Sequence, residues 1–254
     1  MKRITIILLL LSFVIGVGYG QSPIKRKKSE KTEQGQSGSS SSSQHNTQNN
    51  RKKETKPIVK VSEPDGYING HGYVDLGLPS GLKWATCNVG ATSPFESGEY
   101  FTWGSISPRT KAEGIDGFGV SESAKKLYDL GVVDDSWNLM PKYDAASMLM
   151  HTPWRIPTEK ECEELMKFCT KVWCNSNGLW GYKITGPNNN SIFLPAAGYF
   201  HDSSGLLNHN NSGYYQSSTH TEGMFKIYGI SFGKDFFVVR DNYTTASSIR
   251  PVCR

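Results

Sequence analysis

The chain has 254 residues, with 28 Lys and Arg against 23 Asp and Glu and a formal charge of +5, a length that suits one ordinary domain with appendages. The charge is uneven: residues 22–60 hold ten Lys/Arg and three Glu, whereas residues 61–254 hold 16 Lys/Arg and 20 Asp/Glu. The larger part is therefore mildly acidic, which excludes the basic face that a nucleic-acid-binding domain needs.

Residues 1–20 read as a signal peptide. Lys2 and Arg3 precede an almost wholly apolar run, Ile4 to Val17, and Gly18 and Gly20 stand at the −3 and −1 positions of a cleavage site before Gln21. That order is the three-part pattern of a secretory signal. The run is shorter than the ~20 residues that cross a bilayer. No later stretch is long or apolar enough, so no transmembrane segment is expected after signal removal. The mature protein is expected to be secreted, to the periplasm, the outer cell surface or the medium.

Residues 21–57 read as a disordered linker. The basic clusters Lys25–Lys28 and Arg51–Lys53 flank a run, Gly35 to Asn50, made only of Gln, Gly, Ser, Asn, His and Thr. Nothing there can bury apolar area, so the entropy cost of ordering it goes unopposed.

Residues 58–254 form the folded domain. Ile58 to Val61 is a candidate lead-in strand. Tyr73 to Leu78 and Leu82 to Cys87 alternate on either side of Pro79-Ser80-Gly81, a hairpin pattern. Glu99 to Gly104 is a further strand candidate. Ser105 to Met140 holds four glycines without a firm period and reads as a long surface loop, with room for a short helix over Ser123 to Leu130. Lys142 to Met150 is predicted helical, with Tyr143, Ala146, Leu149 and Met150 on one face.

The strongest local signal is WRIPTEKECEELMKFCTKVWC, Trp154 to Cys174. Thr158 stands as a helix N-cap and Glu161, three residues on, completes a capping box. Glu159, Glu161, Glu163 and Glu164 load the first turns, where the helix dipole favours negative charge. Cys162, Leu165, Met166 and Cys169 recur at spacings of three and four, an apolar stripe. After this helix come short strand-like runs: Gly181–Thr185, Ser191–Pro195, Gly198–Phe200, Gly213–Ser218, Phe225–Ile230, Phe236–Arg240 and Ser248–Val252. Gly186 to Asn190 is a hairpin turn between the first two. Helices before and strands after give an α+β class.

Five cysteines lie in the exported part: Cys87, Cys162, Cys169, Cys174 and Cys253. Export permits disulfides, and the odd count leaves at least one thiol over. Cys162 and Cys169 are separated by two helical turns, ~10 Å, and cannot pair with each other.

Eight segments in order carry a family resemblance: VDLGLPSGLKWATCNVGA (Val74–Ala91), EYFTWG (Glu99–Gly104), YDAA (Tyr143–Ala146), WRIPTEKECEELMKFCT (Trp154–Thr170), GYKITG (Gly181–Gly186), SIFLPAAGY (Ser191–Tyr199), YYQSST (Tyr214–Thr219) and SSIRPV (Ser247–Val252). Together they resemble the Fibrobacter succinogenes major paralogous domain of exported Bacteroidota proteins. That family is similar to the C-type lectin-like fold shared with formylglycine-generating enzymes. The resemblance implies a twisted antiparallel sheet with two helices and long irregular loops. It also implies a disulfide between Cys87 and Cys169, and it places Trp84, Trp103, Trp154 and Tyr199 in the core. Gln216 stands where the family commonly has an aromatic.

No G-x-S-x-G or H-E-x-x-H motif occurs, the cysteine spacings fit no zinc motif, and the Glu-Pro-Asn type calcium signature of lectins is absent from the domain. No catalytic residue, metal or cofactor is therefore assigned. Exposed aromatics stack on sugars and anchor interfaces. The irregular segments offer Trp137, Phe200, His201, His209, Tyr214 and Tyr215 as a ligand-binding shelf, with Trp180 also beside a loop. Trp154, Arg155, Thr158, Glu161 and Arg250 are assigned to structure. The two arginines are expected to meet backbone carbonyls or a buried acid such as Asp75 or Glu164. The leading expectation is a non-enzymatic binding or surface-interaction module whose partner is a glycan or a protein. The alternative is an enzyme of unknown class on the same fold.

Overall fold

The computed structural model describes residues 59–109, 122–201, 204–221, 227–242 and 245–254. The expected signal peptide, the linker, Ile58, the middle of the long loop, and Phe225 and Lys226 of an expected strand lie outside the described residues.

The described chain is mixed and mostly β. Strands β1 (Gly66–Ile68), β2 (His71–Asp75) and β3 (Lys83–Ala85) are followed by helix α1 (Ala124–Asp129), a 3₁₀ turn (Pro141–Tyr143), α2 (Ala145–Leu149) and α3 (Glu159–Phe168). Then come β4 (Thr170–Ser176), β5 (Leu179–Thr185), β6 (Ser191–Pro195), β7 (Tyr199–His201), β8 (Gly205–Leu207), β9 (Ser212–His220), β10 (Ile227–Gly233), β11 (Phe236–Asn242) and β12 (Val252–Cys253). They make four small antiparallel sheets, ordered β1-β2-β3-β12, β11-β10-β9, β4-β5-β6 and β7-β8. Three α-helices appear among the described residues, where two were expected. None is long and apolar enough to cross a membrane.

The predicted hairpin forms. Val74 pairs with Trp84 across β2 and β3, and the Gly81 N–H closes the turn on Leu78 O. The capping box forms as read: Thr158 Oγ1 accepts from Glu161 N, and Glu161 Oε2 accepts from Thr158 N at 2.8 Å. Of the helix stripe, Cys162, Leu165 and Cys169 are buried against Val74, Leu76, Tyr182 and Ile230.

Other expectations change. Lys142–Met150 is two pieces, because Asp144 leaves the helical conformation to cap α2: its Oδ1 accepts from Ser147 N and its Oδ2 from Ile156 N. Leu149 is consequently exposed while Ala145 and Ala146 are buried. Val59–Val61 and Glu99–Gly104 are not strands; Phe101 makes a single bridge to Ser247. Much of the region read as surface loop is core, since Leu127, Val132, Val133 and Leu139 are buried with Trp103 and Trp154.

The expected Cys87–Cys169 disulfide is corrected: all five thiols are free. Cys169 is buried beside Leu165 and Val252 in one core cluster, whereas Cys87 faces a groove next to Thr86 Oγ1. The arginines meet the kinds of partner expected, backbone carbonyls and a buried acid, but the acid is a different one. Arg155 pairs with Glu161, not with Asp75 or Glu164. Arg250 meets backbone carbonyls of Ala85, Thr86 and Phe193 and the side chain of Asn88.

Candidate functional site

The six residues proposed for one shelf do not converge. Trp137 packs against the Trp103–Trp154 cluster and meets Tyr128 edge-on, and its carbonyl accepts from His220 N. Tyr214 and Tyr215 sit at the other end of the same strand, five residues away, ~17 Å at strand rise. Tyr215 is buried, donating to Pro195 O and accepting from Asn88, and burial pushes its phenol pKa well up. Tyr214 is half-buried against Tyr199. Phe200 packs on Tyr100 and Ala246. His209 is exposed and bonds Ser97 Oγ, and His201 is exposed on β7. The alternation of Tyr214 and Tyr215 along a strand therefore decides their fate. Gln216 is buried and donates to Phe101 O.

A different pair of aromatics is assembled and open. On the β4–β5 hairpin, Trp173 lies opposite Tyr182 and Asn175 lies opposite Trp180. Side chains at alternate positions share a face, so Trp173, Asn175, Trp180, Tyr182 and Ile184 form one surface. Its far end belongs to the core: Ile184 is fully buried and Tyr182 nearly so. At the near end the row emerges, and Trp180 is 39% exposed. Its indole stacks on Trp173 with centroids 5.7 Å apart and planes 8° from parallel. Trp173 is fixed from below by edge contacts with Tyr182 and Phe232.

Three turns hold this edge in place. Asn177 and Gly178 have φ of 51° and 87°, the positive values of a two-residue type I′ hairpin. Gly178 N–H donates to Asn175 Oδ1. Asn210, in the turn before β9, accepts from Trp180 N at 2.6 Å and donates to Gly178 O. Tyr182 Oη donates to the carbonyls of Gly233 and Lys234, tying down the β10–β11 turn. Three amides, Asn175, Asn177 and Asn210, border Trp180, while Lys234 and Asp235 lie at the β10–β11 turn beside Tyr182. The Lys171 ammonium, on the same face, is drawn back to Met166 O and Cys169 O at the end of α3.

Elsewhere a groove of about 910 Å³ lies between residues 59–64, the β1–β2 hairpin and residues 85–95. Tyr67, His71, Thr86, Cys87, Asn88 and Phe95 line it. Burial, then the nearby His151, lowers the His71 pKa, so its imidazole is neutral at pH 7. Two buried carboxylates with shifted pKa values serve the fold. Asp144, its pKa raised by burial against the pull of its N–H donors, caps α2, and Glu161 holds Arg155. Among the described residues no group of three His, Cys, Asp or Glu is placed to hold a metal ion.

Sequence reasoning singled out Trp180 but missed Trp173 and Asn175. The missed signal was Asn177-Gly178 between two alternating runs, a strong short-range hairpin mark. Comparison with protein-family models, curated proteins and solved structures finds no match to this chain.

Proposed function

We propose that this chain is an exported, non-enzymatic binding module of C-type lectin-like build, and that its glycan or surface-protein ligand docks on the aromatic edge of the β4–β5 hairpin. The observation that supports this reading is the Trp173–Trp180 stack, an open indole face backed by a buried aromatic cluster. A large aromatic left partly in water is a typical anchor of recognition surfaces. It is fixed before any ligand arrives, so little ordering entropy is lost on binding. The test is an array of glycans and peptides probed with the full chain and with Trp180→Ala. Signals lost in the variant support the reading. Signals shared unchanged by both proteins overturn it and move the search to the groove.

An enzyme of unknown class is the second reading, favoured by one observation: His71 and Cys87 line the same groove. Turnover abolished by Cys87→Ser and untouched by Trp180→Ala would establish it.

A further inference from the structure

Resting on the binding reading above, we infer that the ligand class of the Trp173–Trp180 edge is a neutral pyranose, one ring of which stacks on the outer face of Trp180 while the Asn175 and Asn177 amides hydrogen-bond its hydroxyls.

The width of the platform comes first. The two indoles lie parallel on one another at 5.7 Å, so Trp173 is spent supporting Trp180 and a single outer face is presented. A single indole face matches the apolar C–H face of one sugar ring. A protein partner needs far more: stable interfaces cover roughly 800 Å² on each side. Here the aromatic row sinks into the core within two residues of Trp180, at Tyr182.

Charge comes second. Across the hairpin from Trp180 stands Asn175, whose Oδ1 is occupied by Gly178 N–H, which leaves its Nδ2 as a donor beside the indole. Asn177 is exposed at the hairpin tip, with its amide bonded to no described residue. Asn210 spends both amide atoms on the backbone of the hairpin and so positions Trp180. Carboxamides offer donor and acceptor together, which suits vicinal hydroxyls. An anionic sugar would call for a cation, and Lys171 is engaged by two carbonyls at the helix end.

One stacked ring and two amides make a weak site, with Kd near ~1 mM for one unit. Useful affinity then depends on repeated units or clustered copies.

The experiment is an NMR titration of the full chain with methyl β-glucopyranoside, methyl β-galactopyranoside and methyl α-mannopyranoside, following the indole N–H of Trp180. At least one should shift that signal saturably, and Trp180→Ala should weaken its binding at least ~10-fold. Trp180→Phe, which keeps a ring, should retain a measurable part. Asn177→Gly keeps the left-handed turn while deleting the amide, and it should weaken binding about threefold. No shift of Trp180 with any of the three at ~50 mM overturns the inference. If the peptide spots of the array are the ones lost with Trp180→Ala, the edge binds protein: the binding reading stands and the pyranose assignment falls. If binding occurs with polygalacturonate alone and vanishes with added salt, the ligand is anionic and the assignment also falls.

Discussion

Glu161 accepts two hydrogen bonds from Arg155, one to each carboxylate oxygen, and the oxygen 2.7 Å from Arg155 Nη1 also accepts the N–H of Thr158. The backbone of Arg155 is in turn paired in both directions with Val252 near the chain's end. The capping box thus joins the start of α3 to β12 as well as closing a helix. Thr158→Ala is expected to cost about 1 kcal/mol. Glu161→Ala leaves a half-buried guanidinium without its partner and should cost about 2–3 kcal/mol. Urea unfolding of both variants checks the order; equal costs would show that the ion pair adds nothing to the cap.

The same carboxylate sets part of the acid response. Burial opposes its ionisation, but the Arg155 guanidinium and the Thr158 donors outweigh it, so the Glu161 pKa lies below its ordinary value. A depressed folded pKa means stability is full above the unfolded value of ~4.3 and is lost as pH falls through the folded one. Wild type should therefore lose stability below about pH 4 faster than Glu161→Gln. Parallel melting curves would refute this.

His71 and His220 act in a higher window. Burial lowers the pKa of each, with His151 adding at His71 and the Thr221 carbonyl opposing at His220. The unfolded chain then binds more protons, so stability rises with pH. It is full above the unfolded value of ~6.5 and declines as pH falls from there toward the folded values. A double variant, His71→Asn with His220→Gln, should flatten the pH 5–7 limb of the melting-temperature profile, about where free imidazole titrates.

Arg250 is fully buried and donates to Asn88 Oδ1, Ala85 O, Thr86 O and Phe193 O. No carboxylate faces it among the described residues, and burial lowers its pKa. Its five-donor fork gathers the end of β3, the chain after it and β6 at one point. Lysine cannot span these acceptors, so Arg250→Lys should cost about 3 kcal/mol or more. A loss under about 1 kcal/mol would show that the fork is dispensable.

The thiols give a direct chemical check. Cys162 and Cys253 are buried, and burial raises the pKa of both, as it does for Cys169 to about 11. A thiol reagent should count five groups in the unfolded, unreduced chain, and in the native protein it should label Cys87 well before Cys162. A Cys87–Cys169 peptide in a non-reducing digest would overturn the free-thiol assignment.

The parts of the fold that sequence made legible are those where short-range rules act alone. The Thr158–Glu161 box, the hairpin around Pro79 and the turn over Gly186 each depend on a few adjacent residues, and each formed. Long-range packing was harder to read. Val132, Val133 and Leu139 lie in a glycine-rich stretch without a period, and only contact with Trp103 and Trp154 makes them core. Tyr214 and Tyr215 are chemically alike, and strand register alone buries one of them. Trp173 was hidden for a different reason. It follows the helix by five residues, and the helix signal masked the strand that begins at Thr170.

The turn at the hairpin tip bears on how the protein ages. Asn-Gly is the pair at which a polypeptide deamidates most readily: the glycine nitrogen attacks the asparagine carboxamide, ammonia leaves, and the succinimide opens to aspartate or isoaspartate. Here the vulnerable pair, Asn177-Gly178, borders the Trp180 platform. The attacking nitrogen must first give up its proton, and that proton is held by Asn175 Oδ1. Asn175 therefore acts as a guard on its neighbour's lifetime, and Asn175→Ala should accumulate isoaspartate at position 177 sooner than wild type on storage at mildly alkaline pH.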